Sequence, residues 1–335
     1  MKLDIPTLVE LVANRAAVDK TAPDPTNLRN GWRTDGLLGD IDALIVIKYN
    51  NPAVYADFGR QLFDKIKDLP EMAALAQLAV FRGERLLPID SHREQMLVQL
   101  AKDLEQAVSV LPEGTRKMRC ASLLQYHEGV FYNDCGRFDL AAELQGQSGQ
   151  EAERFGDKPG EAIAYFLKAL YLLKDSLRKG EPDARLQELF SGLEQAFSQL
   201  SQGLVGSTLQ VQWAQGNGPT HMLEACVWLD QSHDSWENWL QTMLAASEKL
   251  GDAFRPFAEF VKALDMARHN DPKTDEALNV VANSDSTNEV KATALLIMAR
   301  RAHKAGNAEA AQDLVAKMPD TGAQHVLAIA KRLVS

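Results

Sequence analysis

Apolar residues recur along most of this chain at steps of three and four, the period of a helix that buries one face. In residues 157–179 the stripe is Ile163, Phe166, Leu167, Leu170, Leu173 and Leu177, and no alternating strand pattern competes with it. Thr7-x-x-Glu10, Ser91-x-x-Glu94 and Ser286-x-x-Glu289 read as capping boxes, in which hydroxyl and carboxylate satisfy the first free N–H groups of a helix. Stops are expected at Leu69-Pro70, Leu111-Pro112, Gly136, Gly156, Gly180, Gly203, Gly251, Asp271-Pro272, Gly306 and Met318-Pro319, where glycine permits a left-handed cap or proline ends the ladder. Their spacing of about 15–25 residues predicts one helix per interval. The short apolar run Leu44–Ile47 is read as helix, for want of a partner strand. Residues 19–40, with Pro23, Pro25, Gly31, Gly36 and Gly39, predict a long loop. A second glycine-rich loop over 204–219 is taken as the boundary between a helical array at 1–203 and one at 220–335 that continues it.

Two segments repeat one spacing. Gly129, Tyr132, Gly136, Phe138 and Ala141 match in relative position Ala299, Ala302, Gly306, Ala308 and Ala311. The pattern resembles a tetratricopeptide repeat, with small residues where two helices cross and glycine where the chain reverses. Gln145 and Ser148 depart from it, standing where that family prefers an aromatic residue and alanine. The resemblance implies an all-α fold, a right-handed superhelical array of antiparallel helix hairpins, and a non-catalytic scaffold or adaptor for a protein partner. It also implies groove-facing positions at Leu123, Tyr126, Val130, Asn133 and Asp134, and at Thr293, Leu296, Arg300, His303 and Lys304. Neither set reproduces the Lys/Asn arrangement of chaperone-binding members, so an apolar or acidic segment is the ligand implied. Glu153-Arg-Phe-Gly-Asp157 and Glu248-Lys-Leu-Gly-Asp252 are similar to joints in long-period arrays of bacterial regulators, which implies, as an alternative, a regulatory or inhibitory subunit of a signalling or defence complex.

Composition narrows the chemistry. The 335 residues carry 36 Lys and Arg against 46 Asp and Glu, a formal net charge of -10, which argues against nucleic acid as principal partner. Cys120, Cys135 and Cys226 are odd in number and lack metal-ligand spacing, so free thiols and a cytoplasmic location are expected. No apolar run nears the ~18 residues of a membrane span, and Met1–Pro6 does not read as a signal peptide. His127-Glu128 lacks the second histidine of a helical zinc site. His233-Asp234 motivates a second alternative, an all-α metal-dependent phosphohydrolase, although its polar surroundings read as a turn. No phosphate loop is present, and neither a cofactor nor an enzymatic activity is expected. Four of the five tryptophans, Trp213, Trp228, Trp236 and Trp239, cluster around the second loop. Trp228 and Trp239 read as core; Trp213 and Trp236 are expected to be partly exposed anchors of a binding face.

Overall fold

The computed structural model describes residues 5–19, 52–87, 91–207, 209–284 and 286–335. Among them are fifteen α-helices, one π-helix and one short 3-10 helix, with no strand, which agrees with the all-helical reading. None of these helices is long and apolar enough to cross a membrane. The predicted loop after Asp19 and the helix at Leu44–Ile47 fall outside the described residues.

Contacts gather the described residues into two units: those up to Phe131 together with Leu144–Ala164, and Tyr132–Glu143 together with Tyr165–Ser335. The first contains α1 (Ile5–Asp19), α2 (Pro52–Ile66), α3 (Pro70–Arg85), α4 (Ser91–Ser109) and parts of α5 (Thr115–Asp134), α6 (Phe138–Phe155) and α7 (Lys158–Lys179). Helices α2 and α3 pack backbone to backbone because two glycines face the crossing. A Cβ on Gly59 would lie 2.9 Å from the Val80 nitrogen, and one on Gly83 would lie 2.7 Å from the Ala56 nitrogen. Below the crossing, Phe81 meets Phe131 edge-on at 6.0 Å.

The two departures from the repeat pattern have a structural reason. Ser122 and Ser148 exchange hydrogen bonds, each hydroxyl donating to the other's carbonyl at 3.0 and 2.8 Å, and the Gln145 amide donates to the Tyr126 carbonyl at 2.9 Å. Polar side chains thus hold α5 to α6 through buried main-chain acceptors, which an aromatic residue and alanine could not do.

The second unit continues through α8 (Asp183–Gly203), the π-helix (Gln210–Asn217), α9 (Gly218–Trp228) and α10 (Trp236–Leu250). After the 3-10 turn Gly251–Phe254 come α11 (Arg255–Arg268), α12 (Thr274–Ala282), α13 (Asn288–Lys304), α14 (Ala308–Ala316) and α15 (Gln324–Val334). Consecutive helices pack as neighbours, α9 on α10, α11 on α12, α12 on α13 and α13 on α14.

One joint recurs along the chain. At Gly136 the backbone turns left-handed, its N–H donating to the Asn133 carbonyl at 2.9 Å while the Arg137 N–H reaches back to Tyr132 at 2.8 Å. The same pair of bonds closes the helices at Gly156, Gly180, Asp230, Asn270 and Gly306. This double bond satisfies carbonyls that a helix end otherwise leaves free. Glycine adopts positive φ without cost and Asp or Asn with little, so Asp230 and Asn270 serve at φ 52° and 53°. The glycine and proline rule foresees no stop at Asp230 and places the one near Asn270 at Asp271-Pro272.

Two expectations change. The segment read as a glycine-rich loop is instead, over Gln210–Asn217, a π-helix running directly into α9. Its glycines are there for close approach: a Cβ on Gly218 would lie 2.6 Å from the Phe197 ring, and one on Gly216 would lie 3.0 Å from Phe254. The capping box at Ser286 is displaced by one residue, since Thr287 caps α13, accepting from the Val290 N–H at 3.4 Å. Glu289 is therefore left at the second helical position, and its carboxylate turns inward.

Burial in the first unit pushes the Glu128 carboxyl up to about 8, reinforced by the negative charge of Glu105. A carboxyl whose folded pKa lies above its unfolded value near 4.5 stabilises the fold fully below that value and loses the contribution as pH rises to about 8. Glu128→Gln is expected to gain about 2 kcal/mol or more over the parent at pH 9 and little at pH 4, read from denaturant melts at the two pH values. Gly83→Ala is expected to destabilise by about 1–3 kcal/mol through overpacking. Gly192→Ala, mid-helix in α8 with nothing within 4 Å of the added Cβ, should instead stabilise by about 0.5–1 kcal/mol. Equal thermal shifts for the two glycine variants would contradict the backbone-to-backbone crossing.

Candidate functional site

Within the second unit, five helices bring charged and polar side chains to one buried point. The last turn of α5 supplies Asn133, α7 supplies Tyr171 and Lys174, α9 supplies His221, Glu224 and Trp228, α13 supplies Glu289 and Thr293, and α15 supplies His325. Spacings of three, four and seven place each helix's contributors on a single face.

Lys174 is at the centre. Its ammonium, 2% exposed, donates to Glu289 Oε2 at 2.5 Å and to Asn133 Oδ1 at 3.1 Å. It also lies 5.6 Å from the centres of the Tyr171 and Trp228 rings, whose faces attract a cation. Trp228 is fixed in turn by its indole N–H, which donates to the Thr293 hydroxyl at 3.1 Å. On α9, His221 Nδ1 and Glu224 Oε2 are 2.9 Å apart, while the other Glu224 oxygen is buried and has no hydrogen-bond partner. His325, fully buried, stands edge-on to Trp228 at 4.5 Å and to Phe138 at 5.3 Å. Neither of its ring nitrogens has a hydrogen-bond partner, and Nε2 is 3.8 Å from Glu289 Oε2.

Burial sets the protonation states here. Desolvation, with Lys174⁺ adding to it, holds the His221 imidazole down at about 4 and the His325 imidazole well below its ordinary value, so both rings are neutral near pH 7. Desolvation pushes Glu224 up to about 7, against the pull of Lys174⁺, and raises Glu289 as well. The site therefore contains one ammonium, two carboxyl groups and two neutral imidazoles with lone pairs to offer.

The residues singled out by the sequence pattern are dispersed. Trp213 and Trp236, expected at the surface, are 7% and 3% exposed. Trp213 is on the π-helix, which packs against α8, α9 and α10. Trp236 opens α10, where its indole N–H donates to Asp265 at 3.2 Å and the Arg268 guanidinium covers the ring at 5.1 Å. Leu123 and Tyr126 are buried in the first unit and Val130 there is partly exposed. Asn133 is committed to Lys174 and donates to Asp134 at 3.2 Å. Arg300 binds the Val227 carbonyl and, at 3.2 Å, that of Trp228, closing the C-terminal end of α9. His303 and Lys304 are exposed.

The remaining sequence candidates have structural roles. His233 accepts from the Ser235 N–H at 3.0 Å, pairs with Glu194 at 2.8 Å and stacks on Trp239, so both ring nitrogens are engaged in the turn before α10. Cys226 is core, its thiol pushed up to about 12 by burial.

In the sequence Glu289 reads as a capping carboxylate. Lys174 carries a signal: it stands four residues after Leu170 and three before Leu177, a charge in the apolar stripe of α7. His325, between Gln324 and Val326 at the start of a short helix, carries none.

Removing one partner of a buried ion pair leaves the other charge uncompensated. Lys174→Met is therefore expected to cost about 3–5 kcal/mol. Lys174→Met with Glu289→Gln should cost less than the sum of the single changes by about 1 kcal/mol or more. Chemical denaturation of the four proteins checks both values, and additive costs would contradict the pairing. Compared with protein-family models, curated proteins and solved structures, the chain matches none of them.

Proposed function

We propose that this chain is a non-catalytic protein-interaction module built from tetratricopeptide-like helix hairpins. The observation that carries the reading is the recurrence of one left-handed joint at Gly136, Gly156, Gly180, Asp230, Asn270 and Gly306, with the same two hydrogen bonds each time. A recurring joint of this kind suits a helical repeat array, and the extended surface of such an array suits recognition of another protein. The partner face of this reading is the C-terminal end of α13. There Arg301, paired with Asp275 at 2.8 Å, stands beside the exposed His303 and Lys304. Cations there complement the negative end of the helix and would meet an acidic segment. The odd cysteine number supports a cytoplasmic setting for such a module.

Native mass spectrometry of the tagged chain purified from its source is expected to show a complex with a second protein. Reconstitution with that purified protein should weaken at least tenfold for the double variant Arg301→Glu, Lys304→Glu with an unchanged melting temperature. A chain that purifies alone, or a partner bound equally by the charge-reversed variant, contradicts this reading.

A further inference from the structure

The cluster on α7, α9, α13 and α15 is short of positive charge and of hydrogen-bond donors. Lys174⁺ is spent on Glu289 and Asn133. Glu224, 2% exposed, is left with His221 alone, and its second oxygen faces no donor. His325, 0% exposed, has two ring nitrogens without hydrogen-bond partners beside the Glu289 carboxylate. Buried polar atoms left in this condition ordinarily cost stability, and a native site that retains several of them calls for a ligand that satisfies them together. A single cation meets the acceptors among them: it takes a lone pair from neutral imidazole and balances a carboxylate at the same time.

The geometry fits one ion. One ring nitrogen of His221 and one oxygen each of Glu224 and Glu289 lie within 4.8 Å of one another. Donors at about 2.0–2.2 Å from a tetrahedral ion are about 3.3–3.6 Å apart, so shifts of about an ångström close the set. Entry is available at His221, whose side chain is 25% exposed, against 2% for Glu224 and 12% for Glu289. The donor type discriminates among ions: imidazole nitrogen with carboxylate suits zinc and its neighbours, whereas magnesium and calcium prefer oxygen alone.

We propose that His221, Glu224 and Glu289 bind one divalent ion of the zinc class, with His325 as an adjacent nitrogen donor and Lys174 retained on Asn133 and the rings of Tyr171 and Trp228. No bond of substrate is made or broken in this step; the ion enters and the proton shared by the Glu224 carboxyl leaves to solvent. The inference does not depend on the interaction reading, and either can fail without the other.

The test uses the full chain, stripped with a chelator and titrated with zinc chloride by calorimetry. Expected is one ion bound per chain. Cobalt(II) substitution should give the visible absorption of a nitrogen- and oxygen-ligated ion. Glu224→Gln, which keeps the shape of the side chain, should weaken binding at least tenfold, whereas His269→Ala on the surface of the second unit should leave it unchanged. Should Glu224→Gln fail to fold, His221→Asn takes its place with the same expectation. A wild-type chain that takes up no ion at one equivalent, or a folded cluster variant that binds like the parent, overturns the proposal and leaves the Lys174 ammonium as the cluster's cation.

Discussion

A buried ammonium is costly in a helical protein unless its surroundings are built around it, and the second unit of this chain is built around Lys174. Its charge is met by Glu289, its remaining donor capacity by Asn133, and its apolar stem lies in the stripe that packs α7. Ion pairs of this kind rarely add stability over a well-packed apolar substitute, but they tolerate no single replacement, because each leaves a bare charge behind. The pair joins α7 to α13, and α9 and α15 bring Trp228 and His325 to the same point.

The same demand explains the positions of several surrounding residues. Arg300 on α13 closes the end of α9, and Arg332 on α15 donates to the Leu177 carbonyl at the end of α7 at 2.6 Å. Each of these arginines ties the terminus of one cluster-bearing helix to the body of another, satisfying carbonyls and complementing the helix dipole. The π-helix before α9 belongs to this arrangement too. It holds its wider turn in place by packing Trp213 inward and by bringing Gly218 against Phe197, and from it α9 departs with His221 and Glu224 facing the cluster.

The repeated joint has a different origin, local rather than tertiary. Left-handed residues with paired back-bonds arise wherever glycine, aspartate or asparagine follows a helix whose last carbonyls need donors, and nothing distant is required. This is why such joints were legible at Gly136, Gly156, Gly180 and Gly306 from residue type alone. Asp230 was not, because aspartate is as suited to starting a helix as to ending one.

Taken by itself, the sequence determined the all-helical class, most helix boundaries and the burial of Trp228 and Trp239, since these follow from local periodicity, capping chemistry and glycine's freedom at positive φ. Tertiary structure alone decided what the polar residues are for. Ser148 and Gln145 became crossing bonds, Trp213 and Trp236 became core, and Glu289 left its expected cap to meet a lysine 115 positions earlier in the chain. No local pattern encodes a pairing at that separation: one partner reads as a capping carboxylate, and the other, a charge interrupting an apolar stripe, does not say which residue it meets. Only when the helices pack and water is excluded do the charges have to find one another, and the imidazoles of His221 and His325 lose their protons for the same reason.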